Sequence, residues 1–312
     1  MRLLVTGGDG FIGSNFIHYW FRKHPKDSVV NVDKLTYAAN PENLNGVEKY
    51  EYEFIKADIT DSTRIGSVVK DVDCIVNFAA ESHVDNSIAD SSVFVRTNVL
   101  GVHVLLEAAK KYEKRFHQVS TDEVYGALPL NSKVKFNENS PYRPRNPYSA
   151  TKAAADHLVM AYCNTYKLNA TISNSSNNFG PRQHQEKLIP KTVYNALHNK
   201  EVPVYGNGLQ IRDWIYVDDH CSAIEVIIKK GSAGETYLVG ANQELHNIDL
   251  VKKLLGHLRK PESLIKFIPD RPGHDARYAI DARKIMRDLG WKPKGRFESR
   301  LKQTVDWYRK FA

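Results

Sequence analysis

Ser120-Thr121-Asp122-Glu123-Val124-Tyr125-Gly126 sets a hydroxyl, two adjacent carboxylates and a phenol directly after an apolar run, Phe116 to Val119, that reads as a buried strand. In a continuing strand Asp122 and Glu123 would point to opposite faces, so both reach one substrate only if the chain turns there. A strand-to-helix turn supplies that geometry, and in an open parallel sheet ligands bind outside the carboxyl ends of the strands. Two carboxylates at such a point are candidates for a matched acid and base, provided their environments push their pKa values apart. An acidic helix N-terminus that complements the helix dipole is the other reading, and this stretch alone does not decide between them.

Tyr148 and Lys152 stand four apart at the start of a helical pattern, hence on one face. A lysine ammonium there can depress the tyrosine pKa and make the phenolate a usable base near neutral pH. The spacing recurs at Tyr19/Lys23 and Tyr52/Lys56, but only the Tyr148 pair follows a Ser-Thr strand end by one crossover-sized interval. Thr121 could then hydrogen-bond the substrate oxygen that Tyr148 deprotonates.

A third set suits a dinucleotide. Gly7, Gly10 and Gly13 follow the first apolar strand and open a helix, in a GxxGxxG rather than a GxGxxG pattern. Glycines there permit a tight turn, close approach of backbone to a pyrophosphate, and close helix–strand packing at a helix N-terminus. Asp33, 20 residues after Gly13, ends the second strand. A carboxylate in that place accepts hydrogen bonds from a ribose and repels a 2′-phosphate, which favours NAD over NADP; Lys34 weakens the preference. Asp58-Ile59 lies past the third strand, where adenine would sit, and Ala79-Ala80-Glu81-Ser82-His83 follows the fourth strand along the dinucleotide.

These residues must be held by an α/β frame. Leu3 to Val5, Val29 to Val32, Glu53 to Ile55, Cys74 to Phe78, Phe116 to Val119 and Thr171 to Ser173 read as strands. Phe11 to Lys23, Thr60 to Lys70, Val93 to Tyr112 and Tyr148 to Tyr166 carry helix-period apolar positions between them. Such alternation predicts a doubly wound parallel Rossmann-type sheet. Residues 1–175 are expected to form it, with 214–245 packing back onto it through a strand at Tyr237 to Val239. Residues 176–312, broken by Pro181, Pro190, Pro203, Pro269 and Pro272, are expected to form a smaller mixed substrate domain ending in a helix over Ser299 to Phe311. Segment 128–147, with four prolines, reads as a long functional loop.

At 312 residues, 42% hydrophobic and 26% charged, the composition is that of an ordinary soluble protein. Cys74, Cys163 and Cys221 are scattered without CxxC spacing, which argues against a disulfide framework and against a bound metal. No signal-peptide pattern is expected, nor an apolar run approaching the roughly 18 residues of a membrane span, so the cytoplasm is the expected compartment. The net charge of +8 is spread along the chain, which predicts a solvated basic surface rather than a nucleic-acid site.

Taken together, the sequence resembles the extended short-chain dehydrogenase/reductase family in its sugar-nucleotide branch, nearly end to end. The resemblance is carried by Gly7 to Gly13, Val32 to Ala38, Ala79 to Asp85, Ser120 to Gly126, Pro147 to Lys152, Ser176 to Pro181, Glu186 to Pro190, Ile211 to Trp214 and Asp270 to Asp275. The Asp-Glu pair is its sharpest feature, since related epimerases carry small residues there and related decarboxylases and GDP-mannose dehydratases keep only the Glu. The resemblance implies an NAD-dependent lyase of deoxysugar biosynthesis that dehydrates dTDP-glucose to a 4-keto-6-deoxy product. In that reading Tyr148 would take the 4-hydroxyl proton, Lys152 and Thr121 would position it, Glu123 would take the C5 proton and Asp122 would protonate the departing 6-hydroxyl.

It also implies that Phe11, Ile12, Leu35, Thr36, Thr97 and Asn178 join the cofactor site. Arg212 and Arg271 would pair with the diphosphate in forked geometry. His83, Asn177, Asn247 and His274 match substrate positions, and Lys187, Leu188, Pro203 and Tyr205 match those near the pyrimidine. Val99, Val102, Leu105, Leu106 and Ala109, with Ala153, Ala154, Leu158 and Ala161, form broad apolar faces; in relatives such helices pair across a homodimer as a four-helix bundle. Asn86 and Phe179 depart from the usual Arg and Tyr, and Pro181 to Gln185 departs from an aromatic run, which bears on the choice of thymidine over another pyrimidine. A 4-epimerase, a UDP-glucuronate decarboxylase and an inactive NAD-binding regulator are the competing readings. Asp122 beside Glu123 argues against the first two, and the intact catalytic set against the third.

Overall fold

The computed structural model describes residues 1–310. Twelve strands occur among them. β1 (Arg2–Thr6), β2 (Ser28–Asp33), β3 (Glu51–Lys56), β4 (Cys74–Asn77), β5 (Arg115–Thr121) and β6 (Ala170–Ser175) alternate with helices. β7 (Asn177–Phe179), β8 (Val202–Tyr205), β9 (Ile211–Tyr216), β10 (Thr236–Val239), β11 (Glu244–His246) and β12 (Ile265–Ile268) follow. Seven of them form one parallel sheet in the order β10-β6-β5-β4-β1-β2-β3. β1 and β4 run through largely apolar stretches buried on both faces, as parallel strands covered by helices must, and β6 is buried throughout although it carries Thr171, Ser173, Asn174 and Ser175. From β1 the chain winds outward first to β3 and then, from β4, the other way. The crevice at the carboxyl ends of β1 and β4 is therefore the place where an open sheet of this kind takes a ligand.

Helices Phe11–Lys23 and Val217–Lys230 pack together on one face of the sheet, over a core that includes Phe16, Trp20 and Ile224. Helices Ser62–Val69 and Pro147–Tyr166 and the helical run Ser92–Lys111 cover the other face, where Val102, Leu105, Leu106 and Ala109, expected to pair with a partner copy, instead pack into the core against the sheet. The run expected as one regular helix over Val93 to Tyr112 contains a π turn at Val95–Gly101. The widened turn swings Asn98 inward, where its side chain accepts from Glu81 N (2.9 Å) and donates to Glu81 O (3.0 Å) and Thr151 Oγ1 (2.9 Å). Contrary to the sequence expectation, Ser92–Lys111 is long and apolar enough, by length and composition, to cross a membrane. Its inward side packs on the sheet as a core helix does.

β7 leaves β6 after one residue, so the smaller lobe grows from the carboxyl edge where the crevice opens. A mixed sheet, β11-β9-β7, and a two-stranded ladder, β8 with β12, pack against helices Leu188–Leu197, Asn247–Leu258 and Phe297–Tyr308. That last helix begins two residues before the expected Ser299, and Phe311 lies outside the described residues. The proline-rich loop is pinned down along its length. Leu128 N donates to Arg277 O (3.0 Å), Phe136 N to Ala279 O (2.9 Å) and Arg277 Nη1 to Val134 O (2.9 Å).

Candidate active site

A cavity runs across the carboxyl ends of β1, β2, β4, β5 and β6. At its β1 end the glycine turn is sterically obligatory. Gly7 adopts φ +71°, and a Cβ there would lie 2.6 Å from Ala79 N. A Cβ on Gly13 would lie 2.3 Å from Gly7 O, which is the close helix–strand packing the pattern predicts. A Cβ on Gly10 would meet only Gly7 O, at 3.3 Å, and otherwise project into open space at a residue that lines the cavity. The turn is shaped to let a phosphate approach backbone. Asp33 is buried at the end of β2 and accepts from Leu35 N (2.8 Å) and Asp9 N (3.0 Å). Burial raises its pKa, and these backbone donors oppose the rise. Lys34 pairs with Asp58 at 2.8 Å across the neighbouring strand ends. A site for a dinucleotide with a free ribose edge fits these residues.

Deeper in, β5 ends in the turn that the two carboxylates need. Thr121 Oγ1 accepts from Glu123 N (3.3 Å), capping a single 3₁₀ turn, Asp122–Tyr125, that brings both acids to the cavity. Tyr125 is different. Its ring is buried against Phe136 and Tyr142, and its hydroxyl donates to Asn174 Oδ1, so this phenol belongs to the core rather than to the site.

Burial raises the Asp122 pKa well above the carboxylate range; the Glu123 and Asp213 charges add to this and Arg212 opposes it. Burial raises Glu123 too, but Arg212, Lys187 and Arg271 pull it back. The neighbours thus favour a protonated Asp122 beside an ionised Glu123. One Asp122 oxygen, Oδ2, is buried without a hydrogen-bond partner.

Tyr148 enters from the first turn of helix Pro147–Tyr166. That start is fixed by a capping box, with Ser149 N donating to Asn146 Oδ1 (2.9 Å) and Asn146 N to Ser149 Oγ (3.3 Å), and by Pro147 in the first turn. The expected depression of the phenol by Lys152 is not what the geometry gives. Lys152 Nζ donates to Val119 O (2.8 Å), and burial with the Glu123 and Asp122 charges raises the Tyr148 pKa, a hydrogen bond with Thr121 being the opposing influence. Lys152 itself is lowered to about 8 by burial.

Thr121, Asp122, Glu123, Tyr148 and Lys152 all line the cavity. So do the expected cofactor residues from Gly7 through Asn178, except Leu35, which contributes its backbone N–H to Asp33. Of the expected substrate residues Asn177 and Lys187 line it, with Lys187 Nζ donating to Ser82 O (3.1 Å). Leu188 starts the helix beside Lys187 and does not line the cavity. His83 stands just behind, 3.8 Å from Asp85 and 3.9 Å from Glu186.

A separate cluster gathers part of the remainder. Arg271 pairs with Asp85 (2.7 Å) and lies 4.4 Å over the Tyr205 ring, next to Pro203 on β8, while His274 pairs with Asp270 (2.5 Å). Arg212 was expected to fork onto a diphosphate. Its guanidinium is instead buried, with Nη1 and Nη2 donating to Ile211 O and Asp275 O and the Tyr278 ring 4.2 Å away, because a buried guanidinium needs acceptors wherever it sits. Asn247 opens helix Asn247–Leu258 with its Oδ1 buried and unpartnered.

Ser175, Ser176, Gln183, His184 and Glu186 also line the cavity and were not among the expected site residues. The strand-end rule applied to β6 would have found the two serines; Gln183 and His184 carry no local signal.

The chain matches the family model described as GDP-mannose 4,6 dehydratase over residues 4–304. It is 47% identical over 310 residues to dTDP-glucose 4,6-dehydratase of Mycolicibacterium smegmatis, covering 99% of this chain and 93% of the relative. The corresponding Neisseria gonorrhoeae protein is 49% identical over 331 residues, covering 98% and 95%. Among solved structures, DesIV (dTDP-glucose 4,6-dehydratase) from Streptomyces venezuelae with NAD bound superposes with a TM-score of 0.96 at 44% identity, over 99% of this chain and 97% of that one. The glycine turn, the acid pair and the Tyr–Lys helix thus sit in a frame shared across whole chains, and the protein belongs to the GDP-mannose 4,6-dehydratase family, within the extended short-chain dehydrogenase/reductases.

Proposed function

We propose that the protein catalyses the NAD-dependent dehydration of dTDP-glucose to dTDP-4-keto-6-deoxyglucose. One observation carries the reading beyond the shared fold: Asp122 and Glu123 face one cavity beside Tyr148, with neighbours that favour opposite protonation states. The glycine turn and Asp33 would hold NAD, which when bound accepts hydride from C4 and returns it to C6. Tyr148, aligned by Thr121, takes the proton from the 4-hydroxyl as that carbon is oxidised, which requires its phenol to be ionised first, against the burial and carboxylate charges that raise it. The resulting ketone acidifies the C5 proton, and Glu123 removes it as general base. Asp122, kept protonated by burial, donates to the departing C6 oxygen, and water leaves. Glu123 then returns its proton to C5, which leaves Tyr148 with the 4-hydroxyl proton and Asp122 without the one it gave; transfer of that proton from Tyr148 to Asp122, through solvent, resets the pair for the next turnover.

The curated relatives and the DesIV structure support dTDP-glucose as substrate. A second lobe of residues 176–312, with 214–245 returning to the main sheet, would hold the nucleotide between Lys187, Tyr205 and Arg271. Exposed Val93, Val95 and Leu100 on the run Ser92–Lys111, beside helix Pro147–Tyr166, support a homodimer joined by a four-helix bundle. We place the enzyme in the cytoplasm, where nucleotide sugars are made.

Following deuterium from C4-labelled dTDP-glucose tests the reading. Label at C6 of a 4-keto-6-deoxy product is expected. Label retained at C4 of a galactose-configured sugar would identify an epimerase instead, and binding without turnover would point to an inactive relative.

A further inference from the structure

Asp156 lies on helix Pro147–Tyr166 four residues beyond Lys152 and eight beyond Tyr148, on the same helical face. It is fully buried, and no step of the reaction uses it. A buried carboxylate is expensive unless its oxygens are satisfied. Here one oxygen, Oδ2, gathers Ser120 Oγ (2.8 Å), Asn174 Nδ2 (3.0 Å) and Tyr142 OH (3.2 Å), while Oδ1 has no hydrogen-bond partner. The three donors come from β5, β6 and the proline-rich loop, so separate elements converge on one charge. Ser120 immediately precedes Thr121. The groups facing Asp156 are Lys152 and Tyr148 on its own helix, Tyr125 on the turn after β5, and Tyr142, whose ring packs on the exposed His157. Asp122 and Glu123 lie beyond Tyr148, on the cavity side.

We propose that Asp156 is a positioning residue of this site: its buried carboxylate, one turn behind Lys152, is the counter-charge that keeps Lys152 an ammonium donor in the cofactor cavity. The inference rests on the reading of Lys152 as a cofactor-holding residue. Lys152 is lowered to about 8 by burial, and Asp156 opposes that fall. Asp156 is in turn raised to about 6 by burial, with Lys152 and the three donors opposing. Near neutral pH the pair is therefore ionised, and losing the carboxylate charge lets burial neutralise the lysine at lower pH.

The test is NAD affinity against pH in the full-length protein, measured by calorimetry without substrate. Wild-type affinity is expected to fall as pH rises through about 8. In Asp156→Asn the fall should move to lower pH by about one unit, giving roughly fivefold weaker binding at pH 8 and approaching tenfold above about pH 9. Asp156→Glu, which keeps the charge, should restore the wild-type position. A merely structural Asp156 would weaken binding at every pH without moving the fall, and that result overturns the proposal. A second measurement stands if Asp156→Asn does not fold. Coupling between two groups is reciprocal, so Lys152→Met must push the Asp156 carboxyl above about 6, read by carbon-13 NMR of the aspartates. An unmoved carboxyl overturns the proposal. If wild type and Lys152→Met instead bind NAD with the same affinity at every pH, the assignment of Lys152 to the cofactor fails, a separate outcome.

Discussion

Neighbouring carboxylates divide the work of acid and base only where their surroundings differ, and around Asp122 and Glu123 they do. Asp122 is 1% exposed and has one favourable charge, Arg212, against burial and two acids. Glu123 faces three cations, Arg212, Lys187 and Arg271. Removing either acid should slow elimination by about 10²- to 10⁴-fold. Asp122→Asn and Glu123→Gln are expected to bind NAD and exchange hydride at C4 but release little dehydrated product. Wild-type dehydration rates in either variant would remove that residue from the mechanism.

The pH profile follows with a definite sign. Glu123 must be ionised to act and its pKa is raised, so activity is lost as pH falls, at a pH above the ordinary glutamate range near about 4.3. Arg212→Gln deletes the largest opposing charge, so that acid limb should move to higher pH, whereas Arg212→Lys should hold it. A limb unmoved by Arg212→Gln would show that another group sets it.

At the scale of elements, the sequence carries the helix Phe11–Lys23 to both ends and the first six strands to within a few residues, because buried parallel strands are short apolar runs between amphipathic helices. The π turn at Val95–Gly101 was not legible. It arises from tertiary demands, the inward bonds of Asn98 and the contact of Gly101 with Ile59, rather than from local propensity. The site was legible wherever a residue sits at a strand end or helix start, as Asp33, Asp122, Glu123 and Tyr148 do. Asp156 was not, since an acid inside a helix looks solvated until the fold buries it. The glycine turn gives the sharpest element-scale prediction. With only 2.3 Å between a Cβ at position 13 and the backbone oxygen of Gly7, Gly13→Ala forces helix and strand apart. It should cost about 1–3 kcal/mol of stability and most of the NAD affinity. Thermal melting with and without NAD reads both; a variant that melts and binds as wild type does would show that the turn tolerates a side chain.

At the scale of the whole molecule, the order β10-β6-β5-β4-β1-β2-β3 opens the crevice on one side and leaves the helical run Ser92–Lys111 on a face of the sheet, only partly buried. The outward side of that run sets apolar residues among the exposed Arg96, His103 and Lys111. Val93, Val95 and Leu100 are 44%, 52% and 47% exposed, and Tyr166, at the end of the adjacent helix, is 52% exposed. Single exposed apolar residues need no explanation, but several along one helical run mark an interaction surface. The same run bears Thr97, which lines the cavity, and Asn98, which ties Glu81 to Thr151 of the catalytic helix. A partner copy seated on it would thus steady the wall of the site as well as cover apolar surface. Charge on the outward side should undo both. Val95→Glu with Leu100→Glu is expected to sediment as a monomer at micromolar concentration where the wild type sediments as a dimer, with the same far-ultraviolet circular dichroism. Its NAD affinity should fall with dissociation, because Thr97 and Asn98 lose the support behind them. A wild-type protein that sediments as a monomer would refute the dimer outright. A monomeric double variant with unchanged NAD affinity would keep the dimer but detach it from the site.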